Sequence, residues 1–203
     1  MGRRNDHTRN EIKEMAIKAE LELIEEGGFQ NCSARKVAAR IGYSAGTLYN
    51  VFEDYDDLVL HANAVTLDDL KDYVEKNLDR DLEGVEALKR VGVCYIEFAH
   101  ENDFRWKALF DYRRPTDTEL PQWYLSRLNS LFAIGEKLIL PLVQGDFESA
   151  QRVTQVLWAG VHGICSLGLT QRLGQDGTEL LKTMSDSLIE NYLRGLNQTK
   201  ENS

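Results

Sequence analysis

Residues 33–52 read SARKVAARIGYSAGTLYNVF, and their spacing decides the fold. Ser33 has the chemistry of an N-cap for a short helix running to Ile41, with Val37, Ala38 and Ile41 on its inner face. Gly42-Tyr43-Ser44 forms a three-residue turn, and Ser44 caps a second short helix over Ala45–Val51. Two short helices joined by a three-residue turn that contains a glycine make a helix-turn-helix. Ala38 supplies the small residue where the helices cross, and Leu48 and Phe52 hold the second helix against the first. Its exposed side then carries Ala45, Gly46, Thr47, Tyr49 and Asn50. Small and polar groups there let a helix enter a major groove about 12 Å wide.

Upstream, Ile12, Ala16, Ala19 and Leu23 share one face of a first helix that Gly27-Gly28 closes. Downstream, a long helix is expected from Asp56 to Leu78, with Leu58, Ala62, Val65, Leu70 and Val74 inward. Further helices are expected over Leu82–Glu101, Phe104–Tyr112, Pro121–Val143, Phe147–Leu173 and Thr178–Leu196, Pro121 suiting a first turn. Residues 113–120 read as a loop; Gln144-Gly145-Asp146 and residues 174–177 read as tight turns. No segment alternates with the period of a strand. The expectation is an all-α chain: a three-helix helix-turn-helix domain over residues 1–55, then a helical bundle over 56–203 that binds an effector and dimerises.

The chain has 203 residues and a net charge of −9, which taken whole disfavours nucleic acid. The distribution reverses that. Residues 1–52 hold eight Lys/Arg against seven acids, and between Glu26 and Glu53 lie Arg35, Lys36 and Arg40 with no acid at all. A locally basic face still attracts DNA within a Debye length of about 8 Å. No apolar run approaches the ~20 residues of a membrane span, and the polar start does not resemble a signal peptide. Cys32, Cys94 and Cys165 are scattered and odd in number, fitting neither a disulfide framework nor a zinc site. They read as packing residues of a reduced, cytoplasmic protein that needs no metal and no cofactor.

The run from Ser33 to Leu58 resembles the TetR-family signature, most tellingly in Ser44-x-Gly46-Thr47-Leu48-Tyr49-x-x-Phe52. The resemblance implies phosphate contacts from Ser33, Thr47 and Tyr49, and base-edge or groove contacts from Arg35, Ala45, Gly46 and Asn50. Ser44, at the start of the second helix, belongs to the same DNA-facing set. One departure stands out: Tyr55 occupies the position of a phosphate-binding lysine. Its hydroxyl is the group left to meet a phosphate there, among Glu53, Asp54, Asp56 and Asp57.

Two competing motifs lack their context. Gly42-Tyr43-Ser44-Ala45-Gly46 matches the G-x-S-x-G nucleophile elbow, but the residues before it are helical rather than strand-like. His100-Glu101 begins H-E-x-x-H, but Phe104 stands where the second histidine belongs.

In the second half, Trp158-Ala-Gly-Val-His162-Gly163 resembles the W-x-x-x-H-G signature of one class of TetR C-terminal domains. Trp158 and His162, four apart, share a helix face. His162 either bonds an effector or is a satisfied core histidine, and Trp158 reads first as packing. Tyr95, Phe98, Trp106, Phe110, Tyr124 and Phe132 complete the candidate effector-pocket set. Val153, Val156, Leu157, Gly160, Ile164 and Leu167, with Leu180, Met184, Leu188, Tyr192 and Leu196, form apolar rows on the last two helices. Gly160, Gly163 and Gly168 permit close approach there, and these two helices are expected to build a homodimer. The partners implied are a near-palindromic double-stranded operator, a small-molecule effector that releases a repressor, and a second copy of the chain. A helical enzyme using the central cavity, or a dimeric protein-binding adaptor using the Trp106–Pro121 stretch, are the alternatives.

Overall fold

A computed structural model describes residues 7–112, 119–170, 172–173 and 177–201. Residues 113–118 of the expected loop and 174–176 of the expected turn lie outside them. Among the described residues there are nine α-helices and no strand. The chain forms two compact units. One takes the chain up to Leu67 together with Phe104–Tyr124; the other takes Asp68–Asp103 and everything from Leu125 onward.

The first unit begins with α1, Arg9–Gly27. Thr8 caps it in a reciprocal box with Glu11, each side chain satisfying the other's backbone N–H. Gly28, at φ 76°, turns the chain out of the helix into a 3-10 turn over Phe29–Asn31. α2 spans Ala34–Arg40, α3 Ala45–Leu48 and α4 Tyr55–Asn77. The inward row of α1 (Ile12, Ala16, Ala19, Leu23) meets Val37 and Ala38 of α2, Leu48 of α3, then Val51, Phe52 and Leu58. This is the core expected from periodicity. α6, Asp103–Asp111, is fastened to it by Arg105. The guanidinium donates to Thr66 Oγ1 on α4 at 3.3 Å and lies 3.7 Å from Glu25 on α1. Phe29 packs edge-on against Tyr112, and His61 stacks on Trp123 at 4.3 Å.

The second unit is built on α5 (Gly84–Glu101), α7 (Gln122–Ile139) from Leu125 onward, α8 (Phe147–Leu169) and α9 (Gly177–Glu201). Two of the anticipated small residues work inside the chain. A Cβ on Gly160 would collide with Leu188, and one on Gly168 with Leu181, so both glycines set the approach of α8 to α9. Gly163 differs: nothing lies within 4 Å of where its Cβ would stand. α5 and α9 are also tied by Lys89 to Glu190 and by Lys182 to Glu97.

The last helix runs to Glu201, past the expected Leu196, and α5 begins at Gly84 instead of Leu82; three further helix ends differ from expectation for a local reason. The helix expected to reach Val143 stops at Ile139 and tightens into a 3-10 turn over Leu140–Val143. Pro141 has no N–H to continue the ladder. α8 stops at Leu169, not Leu173, because Thr170 donates its hydroxyl to Ser166 and Leu167 carbonyls. α3 is four residues long, and the chain then continues in turns, with Asn50 N bonded to Thr47 O and Val51 N to Leu48 O. Among the described residues, no helix is long and apolar enough to cross a membrane.

Candidate nucleic-acid interface and effector cavity

The DNA-facing candidates are positioned by the two short helices. Ser33 Oγ accepts the Lys36 N–H at 3.3 Å and so caps α2. At the far end Gly42 sits at φ 76°, where an L side chain is strained, and Tyr43 N returns to Ala38 O at 2.8 Å. Leu48, Val51 and Phe52 are buried, anchoring α3 from below. On the opposite side Ser44, Gly46, Tyr49 and Asn50 are exposed, while Ala45 and Thr47 are half-buried. Tyr49 keeps 52% of its surface in solvent, the largest exposed aromatic area of the head. Ser44 is not the side-chain cap expected of it. Its hydroxyl meets Thr47 Oγ1 at 3.1 Å instead, pairing two candidate phosphate-facing hydroxyls.

The charge of this face is smaller than the sequence count. Arg40 makes a two-pronged bond to Glu26, 2.7 Å on each side, and also approaches Glu22. Lys36 bonds the carbonyl and side chain of Asn31. Arg35 is exposed and pairs with no carboxylate of the described residues, which leaves it as the cation best placed for a base edge or phosphate. Two contacts had no sign in the linear sequence. His7 Nδ1 lies 2.8 Å from the Tyr43 hydroxyl, 36 residues away, and Arg9 donates to the Val51 carbonyl at 3.3 Å. Both fasten the start of α1 to the edge of the helix pair.

Tyr55 is the correction. Its hydroxyl does not face outward toward a phosphate but donates inward to Glu20 Oε1 at 2.8 Å. Glu20 is fully buried, and its other oxygen has no hydrogen-bond partner. Burial pushes this carboxyl up to about 7, partly offset by the bonds from Tyr55 and Cys32. Burial and the adjoining carboxylate push the Cys32 thiol up to about 12. A thiol so hard to ionise stays protonated near neutral pH, where only the thiolate is reactive. No strand precedes Ser44, which follows α2, so the G-x-S-x-G match has no nucleophile elbow.

The aromatic candidates divide between the units. Tyr95, Phe132 and Trp158 line one cavity of about 90 Å³ in the second unit. His162 stands beside it: its Nδ1 lies 2.8 Å from the Tyr95 hydroxyl and its ring stacks on Trp158. Burial lowers its pKa below the usual imidazole range, favouring the neutral ring. His162 is therefore a bonded histidine at the edge of the cavity. Trp158 is both packing, edge-on to Phe132, and wall. Phe98 is buried against Tyr73 and does not reach the cavity. Trp106, Phe110 and Tyr124 belong to the first unit, where Trp106 packs on Phe110 and Tyr124 on Trp123.

A core of three short-range helices that exposes one face of a four-residue helix is the reading head of a helix-turn-helix DNA-binding regulator. Family comparison agrees. The model of bacterial regulatory proteins of the tetR family matches residues 16–62, and that of the tetracyclin repressor-like C-terminal domain matches residues 88–190. The chain belongs to the TetR family, whose members are non-enzymatic DNA-binding transcription regulators. No curated protein is similar to it by sequence at a significant level. Among solved structures, a transcriptional regulator from Rhodococcus sp. Rha1 shares 20% identity over 90% of this chain and 96% of its own, with a TM-score of 0.70. A Rhodococcus sp. RHA1 protein of unknown function shares 15% over 96% and 98%, with a TM-score of 0.72. FadR from Bacillus subtilis, solved with stearoyl-CoA, shares 18% over 87% and 95%, with a TM-score of 0.64. At these identities the likeness concerns the fold.

Proposed function

We propose that the chain is a cytoplasmic, homodimeric repressor that reads a near-palindromic operator and is released by a small molecule held in the second unit. The observation that carries the reading is the sidedness of α3 and its following turn. Leu48, Val51 and Phe52 are buried beneath it, while Gly46, Tyr49 and Asn50 remain in solvent, as does Arg35 on α2. In a two-fold dimer, two such heads enter successive major grooves. α4 is one continuous helix over Tyr55–Asn77, and its Val74 lines the cavity. A ligand that favours a conformation with misplaced heads then lowers DNA affinity by its differential affinity for the two states.

Selection of bound duplexes from a random pool tests this. The expected result is an inverted repeat with half-site centres about 34–36 Å apart, or a multiple of that. A pool that enriches no inverted repeat overturns the reading.

The same proposal puts the dimer on the outer rows of α8 and α9, where Val156 and Leu167 are exposed and Met184, Leu188 and Tyr192 half-buried. Gly163, open within the chain, is the residue for close approach of a second copy. Gly163→Leu is expected to convert dimer to monomer in sedimentation with helical content unchanged. Gly160→Val, which crowds Leu188, is expected instead to cost about 1–3 kcal/mol of stability. A Gly163→Leu protein that stays dimeric would place the interface elsewhere.

A further inference from the structure

We infer that the cavity of the second unit takes an uncharged, apolar small molecule about the size of a benzene ring or a short alkyl chain, and turns away carboxylates and ammonium compounds. This rests on the reading of the unit as an effector sensor and names the chemistry of what it senses.

The walls carry the inference. Leu88, Phe132, Ile139, Leu157, Val161 and Ile189 present hydrocarbon, and no Lys, Arg, Asp or Glu lines the cavity. Two hydroxyls do line it, and both are engaged. Thr154 donates to the Ala150 carbonyl one turn back at 2.8 Å, and Tyr95 is paired with His162. A carboxylate or ammonium entering this space gives up its hydration and meets no opposite charge, which is among the most costly transfers a ligand can make. A hydrocarbon gives up only unfavourable contact with water. Volume sets the size. At about 90 Å³ the cavity is smaller than the roughly 150 Å³ apolar cavities that stay dry and admit benzene, so about six heavy atoms are the most it holds.

The glycines in the wall sharpen the choice of variants. A Cβ on Gly92 would lie 2.6 Å from Ser185 Oγ, and one on Gly135 2.8 Å from Thr154 Cγ2. Substitutions at either position disturb helix contacts rather than the cavity alone. Leu131 and Val91 are half-buried lining residues, better suited to filling the space.

The test uses the full chain with 13C-labelled Ile, Leu and Val methyl groups, titrated at pH 7.5 with benzene, 1-pentanol, pentanoate and pentylamine. Benzene and pentanol are expected to move the Leu157, Val161 and Ile189 methyl signals saturably, and the two charged probes to bind roughly thirtyfold more weakly or less. Leu131→Trp and Val91→Phe, made separately so that one misfolded variant does not decide the matter, are expected to remove the response. Pentanoate or pentylamine binding as tightly as pentanol overturns the inference, as does the absence of a saturable shift with all four. Operator affinity, measured beside the titration, reports on the effector reading separately. Saturable pentanol binding with unchanged operator affinity supports the cavity's preference and removes its role in release.

Discussion

Tyr49→Ala is expected to weaken operator binding by roughly thirtyfold or more, about 2 kcal/mol, while leaving the head folded. Tyr49 is half in solvent, and its N–H returns to Ala45 O at 3.4 Å. Exposed side chains of this kind change stability by about 0.5 kcal/mol or less when truncated. Tyr49→Phe separates the two things the side chain offers, since it keeps the ring and loses the hydroxyl. A phosphate contact predicts that Phe loses most of what Ala loses. Thr47 calls for a different substitution, because its hydroxyl is paired with Ser44 and its methyl is half-buried. Thr47→Val preserves the shape and removes only the hydrogen bond, with a smaller loss of about 1–2 kcal/mol expected. Gel-shift affinities equal to wild type for Tyr49→Ala and Thr47→Val together, with unchanged circular dichroism, would remove α3 from the interface.

What the sequence disclosed and what it hid divide along one physical line. Most features set by neighbours three or four residues apart were legible, the Ser44 cap and the ends of α7 and α8 excepted. The inner row of α1, the Ser33 cap, the left-handed Gly42 and the buried Leu48–Phe52 pair all follow from helical period and turn chemistry. Features set by distant partners were not. The acid-free window from Gly27 to Phe52 promised three free cations, but Glu26, just outside it in sequence, folds back to neutralise Arg40. Tyr55 looked like a hydroxyl for a phosphate because nothing in its vicinity revealed that Glu20, 35 residues earlier, faces it from α1. Aromatic residues were hardest to sort. Trp106 and Tyr124 read the same as Tyr95 and Trp158, large side chains on amphipathic helices, yet they pack in different units. Aromatic content signals burial, and burial alone does not say in which core.

Glu20 is where that hidden partnership has its largest consequence, and it is expected to show in the pH dependence of stability. The carboxyl titrates near 4.5 in an unfolded chain and near 7 in the folded head. Between those values the folded protein keeps a proton that the unfolded chain has released, so stability falls as pH rises through the window. Below about 4.5 the penalty is absent; above about 7 it is complete, on the order of 3 kcal/mol. Among the described residues no cation offsets it: the groups that meet the carboxyl, the Tyr55 hydroxyl and the Cys32 thiol, are neutral. Glu20→Gln keeps a carbonyl oxygen for Tyr55 and removes the charge. Relative to wild type, the variant is expected to gain roughly 2–3 kcal/mol on moving from pH 5 to pH 8, read from urea melts at the two pH values. Every other titrating group is common to both proteins and cancels in that difference. A gap between variant and wild type that stays constant with pH would mean that Glu20 ionises in the folded head as it does in water, and that the carboxyl has access to solvent or a counter-charge. A gap that opens as pH rises identifies the inward-turned Tyr55 as the partner of a carboxyl that keeps its proton up to about pH 7. The head then carries, at its centre, a group whose charge is tolerated above about pH 7 at the expense of stability.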